Sequence, residues 1–167
     1  MSDPILIDPQ AVAAQAQHLA GQIRLNEMDE RIARHECLAE RETPVDFALQ
    51  GGRDKRERLY LDLSVSAQLS LVCQRCMQPM PFVLDERARI VLFDNETALD
   101  EAMAAEEELE GMLLEPELDV GMLVEDQILM TLPYAPCHSD CEHGKLAEIN
   151  QDRPNPFAAL AALKSGR

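Results

Sequence analysis

Between Leu59 and Cys73 the odd positions are apolar: Leu59, Leu61, Leu63, Val65, Ala67, Leu69, Leu71 and Cys73. The residues between them are mostly polar: Tyr60, Asp62, Ser64, Ser66, Gln68 and Ser70. A period of two predicts a strand with one buried and one wet face, as in an antiparallel sheet. The run is long for one strand, so a bend or bulge is expected near Ser64 to Ser66. Alternation resumes at Phe82, Leu84, Ala88, Ile90 and Leu92, with Glu86 breaking the set. The two runs predict a hairpin whose turn carries Cys73-Gln74-Arg75-Cys76.

The flanking chain reads less sharply. Ile5 to Ile7 fits a short edge strand. Asp8-Pro9 has the cap-then-proline start of a helix, and Val12, Ala16, Leu19 and Ile23 continue it at helical spacing, with Gly21 as a stop. Asn26 is placed to cap a short helix from Glu27 to Arg34. His35 and Cys37 follow as isolated, structural residues. Val45 to Leu49 alternates as a strand, and Gly51-Gly52 opens a turn at a hairpin tip. Asp119 is expected to cap an apolar helix from Val120 to Thr131, with Val120, Leu123, Val124 and Ile128 inward and Glu125 and Asp126 outward. Pro133 and Pro136 end it. Residues 145–154 are polar, and Asn155-Pro156 opens a short terminal helix containing Phe157, Leu160, Ala161 and Leu163.

These elements predict an α+β fold in one domain, residues 1–167: a bent antiparallel sheet curling towards a barrel, with flanking helices. Residues 94–118 form an acidic, mobile insertion, a loop or a partly helical segment over Ala98 to Leu109 with Leu113 and Leu114 tacked onto the core, and residues 145–167 a linker and C-terminal helix. The length is enough to bury one core.

Charge changes the picture. The net charge is −16, and from Ile90 to Gly144 there is no Lys or Arg. Eleven carboxylates lie between Asp94 and Asp119. Phosphate contacts need cations, so the chain is ill-suited to broad nucleic-acid binding and better suited to a basic protein. Asp94, Glu106, Glu107, Glu108 and Glu110 are the candidate partner-binding residues. A solvated loop is the bland alternative. The one basic cluster, Arg53, Lys55, Arg56 and Arg58, is interrupted by Asp54 and Glu57. It reads as a solvated tip or, joined by Arg75, Arg87 and Arg89, as an RNA-binding face.

The five cysteines fit reduced thiols or metal ligands in the cytoplasm. Met1 to Asp8 lacks the basic flank and apolar run of an export signal, and no apolar run approaches a membrane span. Cys73 and Cys76 have the spacing of half a tetrahedral zinc site, and Cys137 and Cys141 form a looser second half. His138 or His143 can replace one of these. Four protein ligands would make the site structural. The alternative is that Cys137 and Cys141 are only loop residues and no metal binds. A redox pair is disfavoured, because the pair is followed by prolines and a strand, where thioredoxin-type pairs open a helix. No nucleophile–base pair, phosphate-cradling glycine loop or HExxH pattern is present. Nothing in the sequence argues for an enzyme or a small-molecule substrate.

Four passages in order resemble the YceD family, the large ribosomal RNA subunit accumulation proteins of bacteria and plastids. They are "IDPQ" before the first helix, "LSLVCQRCMQPMPF", "LDVGMLVEDQILMTLPYAP" with its Cys/His loop, and the terminal "NPFAALAALK". Together they run from about Ile5 to Lys164. The resemblance implies a non-enzymatic cytoplasmic factor for synthesis, processing or accumulation of large-subunit ribosomal RNA. Its implied partners are ribosomal proteins or the assembling large subunit. Cys73 and Cys76 carry over as the family's paired cysteines.

Overall fold

A computed structural model describes residues 4–139. The long hairpin is its spine. β4 (Leu59–Val72) and β5 (Pro79–Phe93) pair antiparallel in unbroken register from Tyr60↔Val91 to Val72↔Pro79. The odd residues of β4 from Leu61 to Leu71 are buried and the even ones are not, as a period of two requires. The expected bulge near Ser64 to Ser66 is absent, since both neighbouring ladders pass through these residues without a slip. Their small side chains need no local distortion to share the wet face.

β3 (Pro44–Arg53) pairs antiparallel with β4, from Asp46↔Ser66 to Arg53↔Leu59. Gly51 and Gly52 therefore sit inside a strand, where a turn was expected; the tip is Asp54 to Arg58, where Asp54 accepts from the Arg56 and Arg58 amides. Gly51 answers a close approach: a Cβ there would stand 2.1 Å from the Val12 carbonyl oxygen.

That oxygen belongs to α1 (Pro9–Ala14), which Asp8 caps by accepting from the Ala11 amide. The helix ends far sooner than its apolar spacing suggests. Ala16 takes a left-handed φ of 50°, and the chain re-emerges as β2 (His18–Arg24), an edge strand paired to β3. Leu19 and Ile23 satisfy both periods, and pairing along β3 decides between them. A 3₁₀ turn (Leu25–Glu27) and a short α2 (Glu30–Ala33) follow. Asp29, rather than Asn26, caps α2, by accepting from the Arg31 amide.

The acidic stretch, expected to be a loop or partly helical, contains α3 (Glu96–Ala105) and, beyond that expectation, β6 (Glu110–Leu113). Asn95 caps α3 through the Ala98 amide, Glu96 lies favourably in the first turn, and alanines supply propensity. The triple Glu106-Glu107-Glu108 falls beyond the helix, so its mutual repulsion does not oppose helix formation. β6 joins β5 in parallel, Ile90↔Glu110 to Phe93↔Leu113. The sheet is thus mixed, where an antiparallel one was expected, in order β2-β3-β4-β5-β6, and among the described residues it is not closed into a barrel.

β1 (Leu6–Ile7) and β7 (Leu118–Asp119) form a second, two-stranded sheet. Asp119 then caps α4 (Val120–Thr131) through the Gly121 amide and also accepts from the Ile5 amide, tying the two chain regions together. α1 and α4 cover the apolar sheet face, and Leu49, Leu61, Leu63, Leu71, Val124 and Ile128 are fully enclosed between the layers. Glu125, expected to face outward, is buried; it accepts from the Asp29 amide at 2.8 Å, and Arg31 approaches it at 3.7 Å. No helix among the described residues is long and apolar enough to cross a membrane.

Candidate metal centre and acidic edge

The cysteine turn is built by backbone hydrogen bonds at the end of the hairpin. The Cys73 amide donates to the Gln78 carbonyl at 3.0 Å, and the Met77 amide to the Cys73 carbonyl at 2.8 Å. Met77 takes a left-handed φ of 59°, which turns the chain tightly enough to bring Cys76 back over Cys73. The chain leaving α4 docks on this turn, where the Pro136 carbonyl accepts from the Gln74 amide at 2.7 Å. That contact delivers His138. Its Nδ1 lies 3.4 Å from Cys76 Sγ, and the ligand atoms of Cys73, Cys76 and His138 all lie within 4.8 Å of one another.

These three side chains could hold a metal ion. Cys73 is fully buried, Cys76 and His138 are half-buried, and Cys137 is exposed outside the cluster. Burial pushes the Cys73 thiol up, but the amides of Cys76, His138 and Arg75 and the Cys76 side chain outweigh it and hold the thiol down to about 5. Amides aimed at a sulfur favour the thiolate, which is the form that ligates. A low thiol pKa is also what a redox pair needs. Here, however, it belongs to the enclosed sulfur, and the residue after the turn enters a strand, so the shift suits ligation better than attack on an outside disulfide. Cys141 and His143 lie outside the described residues, as does the terminal helix.

At the other end of the hairpin, the basic tip and the acidic segment meet. Arg58 donates to Glu106 at 2.9 and 3.4 Å and to Asp54 at 2.7 Å. Arg56 also donates to Glu106. The Arg58 guanidinium holds the Glu106 carboxyl below its ordinary range. Asp54 is likewise low: burial pushes it up, and the Arg58 side chain with the Arg58 and Arg56 amides more than reverses this. Two of the four cations in the cluster are therefore already matched within the fold, while Arg53 and Lys55 are exposed. Asp94, Glu107, Glu108 and Glu110 are exposed, and none forms an ion pair with a described cation.

The wider basic face is split along the hairpin. Arg75 sits at the cysteine turn, at the opposite end of the hairpin from the tip. Arg89 is spent on Asp62, at 2.6 and 2.7 Å, and stacks over Tyr60 at 4.1 Å. Arg87 lies exposed opposite Ser64. Sequence reasoning missed the Glu106 clasp, whose partners are about fifty residues apart. It also missed the Arg89–Asp62 pair, which the hairpin register would have revealed.

A family model described as large ribosomal RNA subunit accumulation protein YceD matches residues 61–164. The chain is 28% identical to the large ribosomal RNA subunit accumulation protein YceD of Haemophilus influenzae over 172 residues, covering 96% of this chain and 95% of that one. No solved structure matches. The matched region takes in the spine hairpin, the cysteine turn, the acidic edge and α4, more than half of the sequence, and the chain belongs to the YceD family.

Proposed function

We propose that this chain serves the accumulation of large-subunit ribosomal RNA, as its relatives' name describes, and that it acts through protein contacts, without catalysis, in the cytoplasm. Its acidic edge receives a basic partner, a ribosomal protein or a protein-rich surface of the assembling large subunit. The observation that carries this reading is the arrangement of charge. Glu106 is consumed by Arg56 and Arg58, yet Asp94 before α3, Glu107 and Glu108 in the turn between α3 and β6, and Glu110 on β6 stay exposed and unmatched beside the sheet edge. Ordered like charges cost self-repulsion that a cationic partner relieves.

The test keeps Glu106 intact and combines Asp94→Asn, Glu107→Gln, Glu108→Gln and Glu110→Gln. Binding to purified large-subunit ribosomal proteins should weaken at least about tenfold and lose most of its salt dependence. Unchanged binding sinks the proposal. The RNA-binding alternative retains Arg53 and Lys55 as exposed cations. It predicts that reversing these two charges, and not neutralising the acids, abolishes contact with precursor RNA.

In the same reading, zinc is the ion of the cysteine turn, in a structural role. Two thiolates and an imidazole suit zinc far better than magnesium or calcium, which take oxygen donors.

A further inference from the structure

Resting on that zinc reading, we infer that Cys73 Sγ, Cys76 Sγ and His138 Nδ1 are three ligands of one ion, that Cys137 is not a ligand, and that the ion staples the β4–β5 turn to the segment leaving α4. By spacing alone, Cys137 is the natural third thiolate. The fold assigns that place to its neighbour.

The distances fit. Zinc–sulfur bonds are about 2.3 Å and zinc–nitrogen bonds about 2.0–2.1 Å, so two such donors on a tetrahedral ion stand about 3.5 Å apart. Cys76 Sγ and His138 Nδ1 are 3.4 Å apart. All three donor atoms fall within one sphere of 4.8 Å separation, and the turn that sets them is closed by backbone bonds independent of the side chains.

The staple is legible in the connections. Cys73 ends the longest buried face of the sheet. His138 stands six residues beyond Leu132, the C-cap of α4. Between the two runs the backbone bond from the Gln74 amide to the Pro136 carbonyl. An ion bonded to all three side chains holds that junction by covalent-strength contacts, and metal binding there becomes folding free energy for the helix–sheet junction. Ligation through Nδ1 leaves Nε2 to water or a further acceptor. The simpler account of the same geometry is a thiol–imidazole hydrogen bond, with no ion needed.

The experiment measures zinc in the full-length chain, purified without chelator from zinc-supplemented cells, with folding checked by circular dichroism. One zinc per chain is expected in the unsubstituted protein and in Cys137→Ala. Cys76→Ala and His138→Ala should lose it, and His138→Cys should recover it, because a thiolate there restores a donor without restoring the imidazole hydrogen bond. Cobalt in place of zinc should give tetrahedral visible bands with thiolate charge transfer, stronger in His138→Cys. Where an alanine variant does not fold, the cobalt spectra of the unsubstituted and His138→Cys chains decide. A folded chain that takes up neither zinc nor cobalt overturns the zinc reading itself. Zinc that is present but lost in Cys137→Ala, or retained in His138→Ala, overturns the donor assignment and leaves the zinc reading standing.

Discussion

Replacing Gly51 by alanine should unfasten α1 from the sheet. The new Cβ would lie 2.1 Å from the Val12 carbonyl oxygen, 2.5 Å from its carbon and 2.7 Å from Ala13 Cα. These are backbone atoms, so no side chain can swing aside. The helix must retreat by roughly 1 Å, and a gap of that order forfeits about a quarter to a half of each dispersion contact it makes. Pro9, Val12 and Ala13 are the buried residues affected. The bond from the Gly51 amide to the Gln17 carbonyl, 2.9 Å, stretches as well. Overpacking of this kind costs about 1–3 kcal/mol, a weakened hydrogen bond adds about 1, and the stiffer unfolded chain returns about 0.4–1. A net loss of about 2 kcal/mol is expected, read as a lower urea midpoint at constant m. Gly52→Ala is the control. Its Cβ meets the end of the Tyr60 ring, at 2.5 Å from Cζ and Oη. That ring can turn, at the cost of its stacking with Arg89, about 0.5–1 kcal/mol. If Gly51→Ala is as stable as the parent, or more stable than Gly52→Ala, the packing of α1 against β3 is not what the glycine serves.

Two further expectations concern charge. Glu125→Ala removes the acceptor of the part-buried Asp29 amide at the start of α2, which should cost about 1–3 kcal/mol in urea denaturation; a cost near zero would mean that water replaces the carboxylate. Glu106 has a lowered carboxyl, so its contribution is complete above the ordinary value of 4.5 and is lost as pH falls through its lower folded value. Amide protection factors in α3 and β6, taken against the slower intrinsic exchange in acid, should therefore fall before those of the β3–β4 ladder, and Glu106→Gln should abolish that early step.

The parts of the fold legible in the sequence are those with a redundant signal. β4 alternates over its whole length, and α4 has both a cap at Asp119 and an inward stripe. β2 was misread because Leu19 and Ile23 satisfy helical and strand periods alike, and the deciding facts, a left-handed Ala16 and a neighbour in β3, are not local. The acidic segment is partly helical, as its propensity allowed, but its strand and its clasp are not legible locally. Its order comes from Leu99, which a side chain at Gly111 would strike, from pairing with β5, and from two arginines some fifty residues earlier. At the cysteine turn, spacing marked the pair and the downstream loop that the fold brings together. Choosing between Cys137 and its neighbour required knowing which way the chain faces after Pro136.

The hairpin that carries both sites also keeps them apart. β4 has 14 residues, and at about 3.3 Å per residue it spans up to roughly 45 Å. The acid–arginine clasp lies at one end and the cysteine turn at the other. That span is several times the screening length of about 8 Å at physiological salt, so neither end senses the other's charge. Substitutions at the two ends should then combine additively. A single partner that engages both must reach across somewhat more than the diameter of a small domain, about 30 Å, and two smaller partners could be carried together without competing.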